Sequence, residues 1–74
     1  MQKKLQVAAH LNDYEYSLLL KVYAKHTSSM SIDERSKYSL SNIVKVERNV
    51  QEGCLNVYYD TGEWWHYKTD LTWY

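Results

Sequence analysis

The spacing of apolar residues changes once along the chain, near residue 43, and the change separates a helical half from a stranded half. Leu11, Tyr14, Leu18 and Val22, flanked by Leu19 and Tyr23, recur at three- and four-residue steps. That is the stripe of a helix that buries one face. Asn12 is placed to cap it, and Glu15 sits three residues on, in the capping-box position. Asp13 and Glu15 lie where the helix dipole is positive, and Lys21, Lys25 and His26 lie where it is negative. The pattern predicts a helix from about residue 12 to about residue 26.

From Ile43 onward the period is two. Val44, Val46 and Val50 alternate with Lys45, Glu47 and Asn49; Leu55, Val57 and Tyr59 alternate with Asn56, Tyr58 and Asp60; Trp65 and Tyr67 alternate with Trp64, His66 and Lys68. Three strands follow, and Gln51-Glu52-Gly53 and Asp60-Thr61-Gly62 supply the glycines that tight hairpins need. Leu71 to Tyr74 can add a short fourth strand after the Lys68-Thr69-Asp70 turn. In Lys4 to His10, Leu5, Val7 and Ala9 fall on one side at period two, which predicts a first strand, although two alanines also suit an extension of the helix. Residues 27 to 42 are rich in serine and read as a connection. Ser31 with Glu34 forms a second capping box there, and Met30, Ile32, Tyr38 and Leu40 are candidates to pin the segment to the core.

The expected order, β-α-β-β-β, describes an α+β fold in two layers, one main helix on a three- to four-stranded, mostly antiparallel sheet. Residues 1–74 form a single domain. So short a chain buries only roughly 60 to 65 per cent of the surface its unfolded form exposes, so its stability margin is thin. One helix covers one face of a sheet, leaving the other to water, a second subunit or a partner.

Aromatic usage makes that second face interesting. There is no Phe, but there are eight Tyr and three Trp, and seven of these eleven rings lie between Tyr58 and Tyr74. Tyr and Trp suit places where one end of the ring is dry and the other wet. If Val57 faces the core, Tyr59, Trp65 and Tyr67 can follow it inward while Tyr58 and Trp64 point out. The rings therefore exceed what one small core hides. Tyr58, Trp64, Trp65, Trp73 and Tyr74 are candidate contact residues, with Asp60, Glu63 and Asp70 making the same region acidic. The expected partner is a protein with a basic surface, and the expected state a homodimer. The plainer alternative is that the outer rings only stack across strands, worth roughly 0.2 to 1 kcal/mol per pair.

Charge narrows the remaining classes. Formal net charge is zero, with six Lys/Arg against four Asp/Glu in residues 1 to 37 and three against five in residues 38 to 74. That is not the basic footprint of phosphate-backbone binding. A nucleic-acid binder using the same rings with Lys3, Lys4, Lys45 and Arg48 is the second reading, and a structural subunit of a larger assembly the third. His10, His26, His66 and Cys54 lack the short ligand pairs of a structural zinc site, so no metal or cofactor is expected. Cys54 with His66 lacks an oxyanion donor and an activating environment, and Asp33-Glu34 reads as cap chemistry. No enzyme is expected. A single cysteine, no apolar run of membrane-spanning length and no secretory signal at Met1 to Leu5 predict a cytoplasmic protein.

In its size, its proline-free vocabulary rich in Lys, Asn and Tyr, and its tail Tyr58-Tyr59-Asp60 with Glu63-Trp64-Trp65, the chain resembles the small early proteins of phages of low-GC Gram-positive bacteria. These bind a host replication or transcription component and block it. The resemblance implies an inhibitor, and among such proteins those that fill the basic DNA channel of a sliding clamp suit an acidic, aromatic half. It assigns no role to any single residue.

Overall fold

The computed structural model describes residues 5–74. Helix α1 spans Asp13–Ser28, and a single helical turn, α2, spans Ile32–Arg35. Strands β1 (Ile43–Asn49), β2 (Cys54–Tyr59) and β3 (Trp64–Lys68) form an antiparallel sheet in the order β1-β2-β3. The fold is α+β, one main helix on a three-stranded antiparallel meander.

Both capping boxes form. Asn12 Oδ1 accepts from Glu15 N at 2.8 Å while Glu15 Oε1 accepts from Asn12 N at 2.9 Å. Ser31 and Glu34 repeat the arrangement at the start of α2. The cap sets where α1 begins, and its buried residues Leu18, Leu19 and Val22 then face the sheet. Tyr14, counted in the apolar stripe, is 66% exposed instead. It occupies the first turn, which overhangs the β1–β2 end.

The expected strand at Leu5 to Ala9 does not form. Gln6–Ala8 is a 3-10 helix that buries Ala8, and Lys4 lies outside the described residues. Its alanines do not fill a sheet position, whereas a tight turn lets Ala8 and Leu11 both reach the core cluster with Val46 and Leu55. Ile32, a candidate anchor, is 83% exposed, while Tyr38 and Leu40 pack on the core. The valine alternation of β1 also fails at both ends. A β-bulge between Ile43 and Lys45 turns Val44 outward, and Val50 sits in the β1–β2 turn.

Gly53 (φ 64°) and Gly62 (φ 92°) supply the left-handed backbone at the two hairpin turns. A third left-handed residue is Leu71 (φ 67°), which reverses the chain after β3. Thr72 to Tyr74 then run back beside β3, with Lys68 N donating to Thr72 O at 2.8 Å and His66 N to Tyr74 O at 2.9 Å. The tail pairs as the sequence suggests, but makes only an isolated bridge, Tyr67 to Trp73, rather than a fourth strand.

With no Phe available, the centre of the core is built from tyrosines whose hydroxyls need partners. Tyr59 and Tyr67 are both buried, with their hydroxyls 2.7 Å apart, and the Tyr67 hydroxyl lies 2.8 Å from Nδ1 of His26, itself only 2% exposed. One proton arrangement uses both hydroxyl hydrogens: Tyr59 donates to Tyr67, and Tyr67 donates to a neutral His26. Burial lowers the His26 pKa from its usual value and raises that of Tyr59 to about 12. All three groups are uncharged near neutrality. The chain links the last turns of α1 to β2 and β3, and fixes the helix along the sheet.

Tyr67→Phe leaves both His26 Nδ1 and the Tyr59 hydroxyl without partners, and should lower stability in urea unfolding by about 2 kcal/mol or more; Tyr59→Phe removes only the terminal donor and should cost about 1 kcal/mol. A depressed His26 pKa means that the unfolded chain takes up the proton more readily than the folded one. Its contribution is therefore complete above pH 6.5 and is lost as pH falls below that value. The urea midpoint should drop between about pH 7.5 and about pH 5.5, a window above the carboxylate range, and His26→Gln should abolish that drop.

Candidate functional site

The meander has two faces of different character. On the helix side lie Val46, Leu55, Val57, Tyr59 and Tyr67, all buried. On the other, Lys45 and Glu47 of β1, Asn56 and Tyr58 of β2, and Trp64, His66 and Lys68 of β3 alternate with them. The register sets Tyr58 opposite Trp64 and Asn56 opposite His66.

These side chains form a continuous strip. Lys45 Nζ lies over the Tyr58 ring, 5.6 Å from its centroid, and Tyr58 stacks on Trp64 at 5.3 Å and 17°. Trp64 meets His66 at 4.8 Å, His66 stacks on Tyr74 at 4.2 Å and 1°, and Lys68 Nζ lies 5.8 Å from the Tyr74 centroid. Cross-strand neighbours on one face stand close enough for such contacts, and the returning tail brings Tyr74 into the same row. Trp64 is 45% and Tyr74 55% exposed. The rings are thus held in place while their outer edges meet solvent.

Carboxylates border the strip. Tyr58 donates its hydroxyl to Glu47 Oε1 at 2.8 Å, and Tyr74 donates to Glu52 Oε1, also at 2.8 Å. Those bonds are the main cause that holds both glutamates below the usual carboxylate pKa, and they raise the two phenols in return. Asp60 and Glu63 flank the β2–β3 turn, where Asn42 Nδ2 donates to Asp60 Oδ2 at 2.9 Å. Asp70 lies in the turn after β3, its pKa lowered chiefly by the Thr72 hydroxyl.

Arg48, which the nucleic-acid reading requires, is not on this face. Its guanidinium grips both oxygens of Glu15 on α1, with Nη2 to Oε1 at 2.6 Å, and Nη2 also donates to His10 O at 3.3 Å. The hydrogen bond from Arg48 is the first cause pulling Glu15 down to about 2. Among the described residues, Glu47 and Glu52 are bonded to the strip and Asp60, Glu63 and Asp70 lie in the segments at its ends, against two ammoniums, Lys45 and Lys68, over its rings. Lys3 and Lys4 lie outside the described residues.

The other two tryptophans point the opposite way. Trp65 meets His26 edge-on at 4.6 Å and 66°, and Trp73 lies 5.1 Å from it at 35°. Both are half-buried and pack against the core cluster, and Trp65 Nε1 is buried without a hydrogen-bond partner. Of the candidate contact residues, the structure groups Tyr58, Trp64 and Tyr74, with Asp60 and Glu63 at one end and Asp70 at the other. Trp65 and Trp73 instead form walls around His26. Lys45, named beside these rings in the nucleic-acid reading, does join the strip, whereas reasoning from sequence missed His66, Lys68, Glu47 and Glu52; the shared parity of 64, 66 and 68 was the available signal.

Cys54 is buried and burial raises its thiol pKa, aided by the Glu52 charge. Among the described residues no cluster of three His, Cys, Asp or Glu side chains could hold a metal ion, and no helix is long and apolar enough to cross a membrane. An open groove of about 310 Å³ between the start of α1 and the β1–β2 turn is largely apolar, lined by Tyr14, Leu18, Val50 and Leu55, with the Glu15–Arg48 pair at its side. Comparison with protein-family models, curated proteins and solved structures finds no match.

The two kinds of indole should separate in mutagenesis. Trp64→Ala removes mainly one cross-strand stack and should cost under about 1 kcal/mol. Trp65→Ala opens a hole beside His26 and should cost about 3 kcal/mol, read as a shift in the urea midpoint at constant slope.

Proposed function

We propose that this chain is a non-enzymatic protein-binding module, an inhibitor or modulator that engages a larger nucleic-acid-handling machine through its outer sheet face. The observation carrying this reading is the charge around the ring strip once Arg48 has been drawn away by Glu15. Exposed Trp and Tyr edges supply the apolar contact that dominates protein interfaces. The carboxylate border favours a basic partner surface and repels phosphate. A protein that holds DNA, such as a replication clamp, presents a surface of that kind.

Stacking of bases is the less favoured use of the rings. Tyr58 and Tyr74 each already stack on a neighbouring ring, which engages one of the faces on which a base would stack. Side-on contact by another protein needs only the edges.

The test compares the tagged chain with a Trp64→Ser/Tyr74→Ser variant, both checked for native circular dichroism, in cytosolic extract of a low-GC Gram-positive bacterium. The expected result is capture of a DNA-handling protein that the variant loses by roughly tenfold or more, about 1.4 kcal/mol. Affinity for that purified protein should fall again in Asp60→Asn/Glu63→Gln. An unchanged capture profile, or binding only to oligonucleotides with the steep salt dependence of phosphate contacts, overturns the reading.

A further inference from the structure

We propose that two copies of this chain join along β1, antiparallel and with Val46 facing Val46, to make one continuous six-stranded sheet. The two edges of the sheet are unlike. On the β3 side the returning tail replaces the edge of β3 by a segment of only three residues, Thr72 to Tyr74, with hydrogen bonds from His66 N to Tyr74 O, Tyr74 N to His66 O and Lys68 N to Thr72 O. Along β1, among the described residues, no hydrogen bond reaches the backbone groups that point away from β2. An unpaired strand edge is a template for another strand, and the strand with the same sequence is the one whose charges can be checked directly.

Those charges select a single register. Two copies related by a two-fold axis must set residues of like parity opposite each other, because opposed residues share a face of the sheet. The axis can therefore pass only through a residue. Centred on Lys45, it sets ammonium against ammonium; centred on Glu47, carboxylate against carboxylate. Each is a like-charge pair directly opposed, which destabilises a sheet. Centring on Ile43 or Val44 meets the bulge, where regular pairing is broken, and centring on Arg48 or Asn49 pairs only the last residues of β1 before the turn at Val50. Centring on Val46 sets Lys45 of one copy against Glu47 of the other, twice, while Val46 itself stays covered within its own copy.

Within one copy Lys45 Nζ and Glu47 Oε2 already lie 3.2 Å apart, and both side chains are well exposed. The seam would merge two such pairs into an alternating ring of four charges on the outer face. It would also place two ring strips on one surface, since Tyr58, with Lys45 over it, is the ring nearest the seam. A seam of so few residues buries less than the roughly 1,200 Å² of a standard interface, so the association should be weak and depend on concentration.

Sedimentation velocity from about 10 µM to about 1 mM, a range that spans weak affinities, tests the proposal. The expected result is a monomer–dimer equilibrium that shifts by roughly tenfold or more toward monomer in Lys45→Glu and in Glu47→Lys, each of which creates like-charge pairs, and that returns in the double exchange Lys45→Glu/Glu47→Lys. All four chains are first checked by circular dichroism. A chain monomeric throughout, a dimer indifferent to the single exchanges, or failure of the double exchange to restore it overturns the proposal. None of these readouts involves the partner protein, so the outcome is independent of the proposed function.

Discussion

Everything in this structure is arranged around one buried line of hydrogen bonds, Tyr59 to Tyr67 to His26. A core with no Phe must bury ring area through tyrosine, and each buried tyrosine brings a hydroxyl that is costly to leave alone. Ending the line on a neutral imidazole solves this without burying a charge. It also fixes the last turns of α1 above β2 and β3, because the helix cannot slide without withdrawing the acceptor. Trp65 and Trp73 then close around His26, and Tyr38 covers Tyr59 edge-on at 5.0 Å. The aromatic residues left over, Tyr58, Trp64 and Tyr74, are those that parity and the returning tail place on the far side of the sheet. The exposed strip is thus a consequence of how the core is satisfied.

Much of this was legible from residue spacing, for physical reasons that differ from one element to the next. Local chemistry sets the ends of α1 and α2, where Asn12 with Glu15 and Ser31 with Glu34 find each other three residues apart. Parity alone separates Leu55, Val57, Tyr59 and Tyr67 from Tyr58 and Trp64, since a strand has only two sides. Depth is another matter. Nothing in the alternation reveals that Trp65 would wrap His26, or that Leu71 would take a left-handed conformation and aim Trp73 inward and Tyr74 outward. His26 itself reads as a surface cation at a helix end, yet it is buried and bonded to the Tyr67 hydroxyl in the core. Arg48 could not be placed from spacing, because its partner Glu15 lies 33 residues away on another element. The bulge at Val44 left no local signal either, and it breaks the very alternation from which the strand was inferred.

The electrostatics of the outer face have a stability of their own. Glu47 and Glu52 each accept a tyrosine hydroxyl, and this support for the ionised form keeps them charged at lower pH than unassisted carboxylates. The rings are thereby tied to the acids that border them. Geometry and charge of the strip rise and fall together, so disturbing Tyr58 or Tyr74 alters both the shape of the surface and the field above it.

The unequal edges of the sheet set a limit on growth. Fibrillar stacking needs a protomer that can accept a strand on each side, and here the C-terminal residues already fill the position beside β3. Among the described residues β1 is the longer open edge, and its bulge shortens what it offers. A sheet with one bulged edge and one edge only three residues long is a poor template for growth in both directions, which protects a marginal, tyrosine-rich globule against propagating β-assembly.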